Sequence, residues 1–160
     1  MSEVKTKLYI SRYSNKDLAK SQAVKVGITR GEPRFKLSFS LKGNITLLAP
    51  PRSIFNMTDK AAFRRKYFEY LDGVGVSEAK RVLEQFGYGV EKEMVLLCYE
   101  DTTCDDPRKN WCHRTMFAEW WAKNTGQIVE EYPDSGNFES KRKKEKPKTQ
   151  MEIDQLELLF

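Results

Sequence analysis

Met94-Val95-Leu96-Leu97-Cys98-Tyr99-Glu100, then a polar loop, then Trp111-Cys112-His113-Arg114 leading into Met116, Phe117, Trp120 and Trp121: this stretch decides the fold. Its first part is a short continuous apolar run, the pattern of a strand buried on both faces. Its last part spaces the large apolar residues at helical intervals. Cys112, His113 and Arg114 therefore fall at the start of a helix, just past the carboxyl end of a strand. Open α/β sheets bind ligands at that end. A helix start also offers unpaired N–H groups and a positive dipole end, which suit an anion.

The chain has 160 residues, enough for one domain with a sizeable core and a tail. Charged residues make up 32% and the formal net charge is +5, a balance that favours acidic partners such as nucleic acid. Cys98, Cys104 and Cys112 are an odd set of three, with no signal peptide and no long apolar segment. The expectation is a cytoplasmic protein with reduced thiols and no membrane partner.

From the amino end, Lys7 to Tyr13 reads as a first strand, and Ser14-Asn15-Lys16-Asp17 as a turn and cap before a short helix. Val24 to Ile28 reads as a second strand, followed by the loop Thr29-Arg30-Gly31-Glu32-Pro33-Arg34. Arg30 and Arg34 are either solvated loop charge or an anion clamp, since a guanidinium fork matches phosphate geometry. Lys36–Leu41 and Ile45–Leu48 are candidate extended segments, stopped by Pro50-Pro51. Thr58 is the expected cap of a helix whose apolar stripe is Phe63, Tyr67, Phe68 and Leu71. Gln127 to Tyr132 reads as the last strand.

Phe68 to Leu83 spells a helix, a tight Gly73-Val74-Gly75 turn and a second helix with the small Ala79. It resembles the helix-hairpin-helix motif. That resemblance implies that the backbone of the Gly-x-Gly turn meets a DNA phosphate, with Lys80 and Arg81 adding charge. Such contacts position a protein without reading bases. An ordinary helix pair explains the same residues equally well.

The central stretch resembles the domain of unknown function 488 family of bacteria and archaea. The resemblance spans most of residues 7 to 132. Its specific pieces are Cys98-x-Glu100 and Cys112-His113-Arg114, supported by Ser14-Asn15, Arg30 and Pro33-Arg34. The loop carrying Asp101, Asp105 and Asp106 is longer than the family leads one to expect. The resemblance implies an α/β fold, a three-layer sandwich with a mostly parallel central sheet, and a pocket formed by Arg30, Glu100, Cys112, His113 and Arg114. It implies no particular reaction.

A thiol at a helix start beside His113 and Arg114 should be enriched in thiolate. Cys112 is then either a nucleophile or a small buried capping residue. His113, the only histidine, is either a general acid/base or a satisfied structural group. Glu100 is a base, an orienter of His113, or the salt-bridge partner of Arg114, the last being favoured. Three cysteines and a histidine can bind zinc. Here the spacing is no paired knuckle, Cys112 and His113 are adjacent, and Cys98 sits within a strand. Neither a metal nor another cofactor is therefore expected. A cysteine-phosphatase loop fails as well, because Ala118 stands where its arginine belongs. No Gly-rich nucleotide loop follows a strand.

After Pro133-Asp134-Ser135-Gly136 the composition shifts to the charged run Lys141 to Lys148, read as a disordered linker. The chain closes on Gln155-Leu156-Glu157-Leu158-Leu159-Phe160. This resembles the short peptide by which bacterial replication and repair proteins dock on the DNA sliding clamp; Gln155, Leu156, Leu158 and Phe160 match, and Leu159 takes a tolerant position. Apolar anchors on a tether suit a partner, although they could also fold back on the domain. The chain thus divides into an α/β domain over 1–134, a linker over 135–154 and a docking peptide over 155–160, with DNA and the clamp as expected partners. Two functions fit: a clamp-recruited enzyme of DNA repair or base/nucleotide processing, or a non-catalytic DNA- or clamp-binding regulator, such as one from a phage.

Overall fold

A computed structural model describes residues 5–99 and 112–135, with backbone alone at Phe55. The expected linker and docking peptide lie outside these residues, as do Glu100, Cys104 and the acidic loop. The described elements form an α/β fold around a five-stranded, all-parallel sheet with strand order β3-β2-β4-β1-β5. The strands are β1 (Lys7–Arg12), β2 (Val24–Gly27), β3 (Gly43–Asn44), β4 (Glu93–Cys98) and β5 (Glu130–Glu131). The helices are α1 (Arg52–Phe55), α2 (Lys60–Val74), α3 (Val76–Glu84) and α4 (His113–Thr125).

β4 is the central strand, and its apolar run is buried from Met94 to Cys98 because both of its faces are covered. Strand alternation sends Met94 and Leu96 to one face and Val95 and Leu97 to the other. On the first face they meet Leu8, Ile10, Val26, Ile28 and the apolar residues of α2, α3 and α4. On the second they meet Tyr13, Leu18 and Ala23, with Leu37, Phe39 and Leu41 laid across them. The sheet is therefore the middle of three layers, one of helices and one thinner layer of irregular chain.

The topology has one hand throughout. Connections that step from β3 to β4 and from β4 to β5 run along the helical face. Connections that step the opposite way, from β1 to β2 and from β2 to β3, run along the other face. Reversing both direction and face preserves handedness, as parallel crossovers require. The connections after β2 and after its neighbour β4 are thus carried on opposite faces of the sheet. The carboxyl ends of these two strands frame the crevice in which open sheets bind ligands.

α4 is buried around most of its circumference, because the sheet lies under it and α2 and α3 flank it. Phe117, Trp120 and Trp121 are at most 2% exposed. Each indole finds an acceptor: Trp120 Nε1 donates to Asp72 at 2.8 Å, and Trp121 Nε1 to Gln127 Oε1 at 2.8 Å. Gln127 also donates to the Thr6 carbonyl at 2.7 Å, which ties the end of α4 to the start of β1.

Several boundaries differ from the sequence reading, each for a local reason. Asp59, not Thr58, caps α2, its carboxylate accepting from the Ala61 and Ala62 amides. Lys36–Leu41 alternates like a strand, but no strand pairs with it, and its apolar side packs as a loop. Thr46–Leu48 is a 3-10 turn after the two-residue β3. The first helix after β1 is likewise 3-10, over Lys16–Lys20, with Asn15 as its cap.

Gly27 is required by close approach. A Cβ there would lie 2.0 Å from the Tyr13 hydroxyl and 2.4 Å from Asn44 Oδ1. Gly27→Ala should destabilise the fold by about 1–3 kcal/mol, the usual cost of overpacking. Gly31→Ala, where a Cβ meets nothing within 4 Å, should stay within ~0.5 kcal/mol of wild type. Urea unfolding midpoints check both, and equal effects would contradict the packing at Gly27.

Candidate functional site

Cys98 ends β4, and Cys112 is the N-cap of α4 with extended backbone, φ −144° and ψ 151°. The helix start lies against the carboxyl end of the sheet because His113 bonds there: its Nε2 meets the Ile28 carbonyl, just beyond β2. Ile28 in turn donates its amide to the Leu97 carbonyl at 2.9 Å. The helix start, β2 and β4 are thereby joined at the crevice where the connections pass to opposite faces.

The two sulfurs, Cys98 Sγ and Cys112 Sγ, are joined, with 7.2 Å between the Cα atoms. Cys112 Sγ lies 3.8 Å from His113 Nδ1. Arg114 Nη1 donates to Cys98 Sγ at 3.1 Å, and Arg114 Nε to Glu131 Oε1 at 2.7 Å. All four residues of the cluster are at least nine-tenths buried. Burial holds His113 well below its ordinary value, at about 4, because a desolvated imidazolium is costly. The Ile28 carbonyl works against that shift, and the Arg114 charge reinforces it. His113 is thus neutral at physiological pH. With Nε2 donating to Ile28, its Nδ1 lone pair faces Cys112.

Beside the cluster is a polar seam. Tyr13 Oη and Thr29 Oγ1 are 2.8 Å apart, Thr29 Oγ1 donates to the Gly31 carbonyl at 2.7 Å, and Asn44 Nδ2 donates to the Thr29 carbonyl at 2.6 Å. Burial pushes the Tyr13 phenol up to about 12, so it remains a donor. Outside the seam, Tyr99 donates to the Gly31 carbonyl at 3.0 Å. Its ring lies 4.9 Å from Tyr13 and 6.4 Å from Phe35. Tyr99 and Phe35 are 42% and 49% exposed, so an aromatic edge looks outward beside the cluster.

The structure therefore brings together Cys112, His113 and Arg114 from the expected site and adds Cys98. Cys98 lies within the expected strand, yet it is the strand's last residue and its side chain reaches the helix start. Arg114 has Glu131 as one carboxylate partner; the expected partner Glu100 lies outside the described residues. Arg30 is exposed, and no hydrogen bond or ion pair among the described residues ties it to the cluster. Arg34 and Lys80 are exposed too. Arg81 is spent on an ion pair with Glu78.

Gly73 and Val74 form the last turn of α2, and Gly75 alone separates it from α3. Gly75 has φ +84°, which favours glycine, and its carbonyl accepts from Ala79 at 3.0 Å. Gln155, Leu156, Leu158, Leu159 and Phe160 lie outside the described residues.

A groove of about 540 Å³ lies elsewhere, at the amino end of β2 between Ala23, Lys25, Phe39 and Leu41. Its buried lysine is occupied, Lys25 Nζ donating to the Ser21 carbonyl at 2.6 Å. The chemistry and the topology both favour the crevice by β4. No helix among the described residues is long and apolar enough to cross a membrane. Compared with known proteins, the chain matches no family model, no curated protein and no solved structure.

His113 links this site to stability. Below pH 6.5 the unfolded chain binds a proton that the folded ring refuses until about pH 4. The contribution is therefore complete above the unfolded value and is lost as pH falls through that window. For the metal-free chain, moving from pH 7 to pH 5 should cost about 2 kcal/mol through this group alone. His113→Asn should flatten that part of the slope in urea titrations, and an unchanged slope would contradict the buried neutral ring.

Proposed function

We propose that this protein works on or beside DNA, recruited by the sliding clamp, with the Cys98–Cys112–His113–Arg114 cluster as its chemical centre. The observation that carries the reading is the outward edge of the crevice. There the exposed rings of Phe35 and Tyr99 stand beside the loop that holds the exposed Arg30 and Arg34. Exposed aromatics interleaved with arginines suit nucleic acid, because rings stack on bases while guanidinium groups meet phosphates. A stacked base is worth about 1–3 kcal/mol by alanine substitution.

Three further features support the reading. The formal charge of +5 favours a polyanion. The Gly73-Val74-Gly75 junction, with Lys80 beside it, suits a backbone phosphate contact as in the helix-hairpin-helix motif. Gln155-Leu156-Glu157-Leu158-Leu159-Phe160 fits a clamp-docking peptide. On this reading the domain would be an enzyme of DNA repair or base/nucleotide processing. A non-catalytic regulator of DNA or the clamp is the second reading. The burial of Cys98, Cys112, His113 and Arg114, none more than 8% exposed, favours it.

Fluorescence anisotropy on the full chain tests the DNA reading. Replacing Phe35 and Tyr99 together by alanine should weaken single-stranded DNA binding at least tenfold, and Arg30→Gln with Arg34→Gln should flatten its salt dependence. Unchanged affinity in both variants would retire the reading. Removing residues 155–160 should abolish binding to a bacterial clamp while the thermal melt stays in place; a large drop in melting temperature would instead make that segment part of the core. Turnover of lesion-bearing DNA that is lost in Cys112→Ala separates enzyme from regulator.

A further inference from the structure

We infer that, in the reduced chain, Cys98, Cys112 and His113 bind a zinc-type divalent ion through two Sγ atoms and Nδ1. This goes beyond the DNA reading and stands without it. The spacing of these residues in sequence argued against zinc, but the fold removes those objections. Cys98 is at the mouth of its strand, and the three donor atoms all lie within 4.8 Å of one another.

The geometry fits an ion in three respects. With Zn–S near 2.3 Å and Zn–N near 2.0 Å, a tetrahedral site separates sulfur and nitrogen by about 3.5 Å and two sulfurs by about 3.8 Å. The observed Cys112 Sγ to His113 Nδ1 distance is 3.8 Å. Next, the Cα atoms of Cys98 and Cys112 are 7.2 Å apart, outside the roughly 4.4–6.8 Å usual for a disulfide. That frame accommodates two thiolates on one ion. Finally, His113 commits Nε2 to the Ile28 carbonyl. A metal-bound histidine commonly donates its second ring N–H to a carbonyl in this way, which fixes the tautomer and aims the other nitrogen at the metal.

The electrostatics also close. Binding expels the two thiol protons, and two thiolates balance the charge of a divalent ion in a buried site. Arg114 Nη1, 3.1 Å from Cys98 Sγ, supplies an N–H···S bond to a ligand sulfur, while Glu131 balances the guanidinium. Two thiolates and one imidazole select zinc-like ions over magnesium or calcium, which take oxygen ligands. Ion and disulfide are alternative occupants of the same sulfurs. A tetrahedral ion has one further position, open to water, to an exogenous ligand, or to a donor outside the described residues.

Cobalt titration of the full-length, phosphine-reduced protein tests the inference. Wild type should take up one Co²⁺ with a sulfur-to-cobalt charge-transfer band of two-thiolate intensity and tetrahedral visible bands. One equivalent of Zn²⁺ should bleach both and raise the melting temperature. Cys98→Ser and Cys112→Ser should each lose the band or weaken binding at least tenfold, and Cys104→Ser should keep it. Absence of the band in folded, reduced wild type would overturn the site. So would a band that depends on Cys104 and survives both other substitutions. Because the wild-type spectrum is decisive by itself, a variant that fails to fold leaves the test intact. Loss of DNA binding would not change it.

Discussion

The structure depends on how the first turn of α4 is held against the carboxyl ends of β2 and β4. A buried imidazole donates to the Ile28 carbonyl while its neighbours, Cys112 and Arg114, reach back to Cys98. Without those contacts the helix start would bury polar groups with no partners, at about 1–3 kcal/mol for each. With them, Phe117, Trp120 and Trp121 are delivered in register onto α2 and the sheet. Tyr67 packs edge-on to the His113 ring at 5.8 Å, so the core of α2 also reads the position of that ring. Polar seam and apolar core therefore specify the same helix position.

This arrangement concentrates chemistry at the point where topology opens the sheet. The connections after β2 and β4 lie on opposite faces of the sheet, the switch point at which open sheets bind ligands. Soft sulfur donors and a neutral imidazole stand at that point, with the Tyr13–Thr29–Asn44 seam and an exposed aromatic edge beside them. Gly27 makes the seam possible, since any side chain there would displace the Tyr13 hydroxyl and Asn44. A single glycine in β2 is thus part of the architecture of the crevice, although it carries no functional group.

Much of the fold was legible in the sequence because periodicity reports burial. Met94 to Cys98 read as a doubly buried strand, and Met116 to Trp121 as a helix, since each pattern has one packing solution. Lys36–Leu41 misled because alternation records which side of a segment is buried, not whether a neighbouring strand pairs with it. Cys112, His113 and Arg114 were legible as a group because they share one helix start. Cys98 is discounted in the sequence and Glu131 is not singled out there, because long-range placement brings them to the site: β4 and β5 lie on either side of β1 in the sheet. Strand termini were the available signal, since a side chain on the last residue of a strand can leave the sheet and meet the next helix.

The central claim is that His113 is a neutral, Nε2-protonated imidazole fixed on the Ile28 carbonyl with Nδ1 turned to the sulfurs. As the chain has one histidine, its ¹⁵N–¹H long-range correlation spectrum contains one ring and admits no misassignment. The account predicts the Nε2–H tautomer, unchanged between pH 8 and about pH 5. A ring that averages between tautomers and titrates near 6.5, as free histidine does, would contradict it.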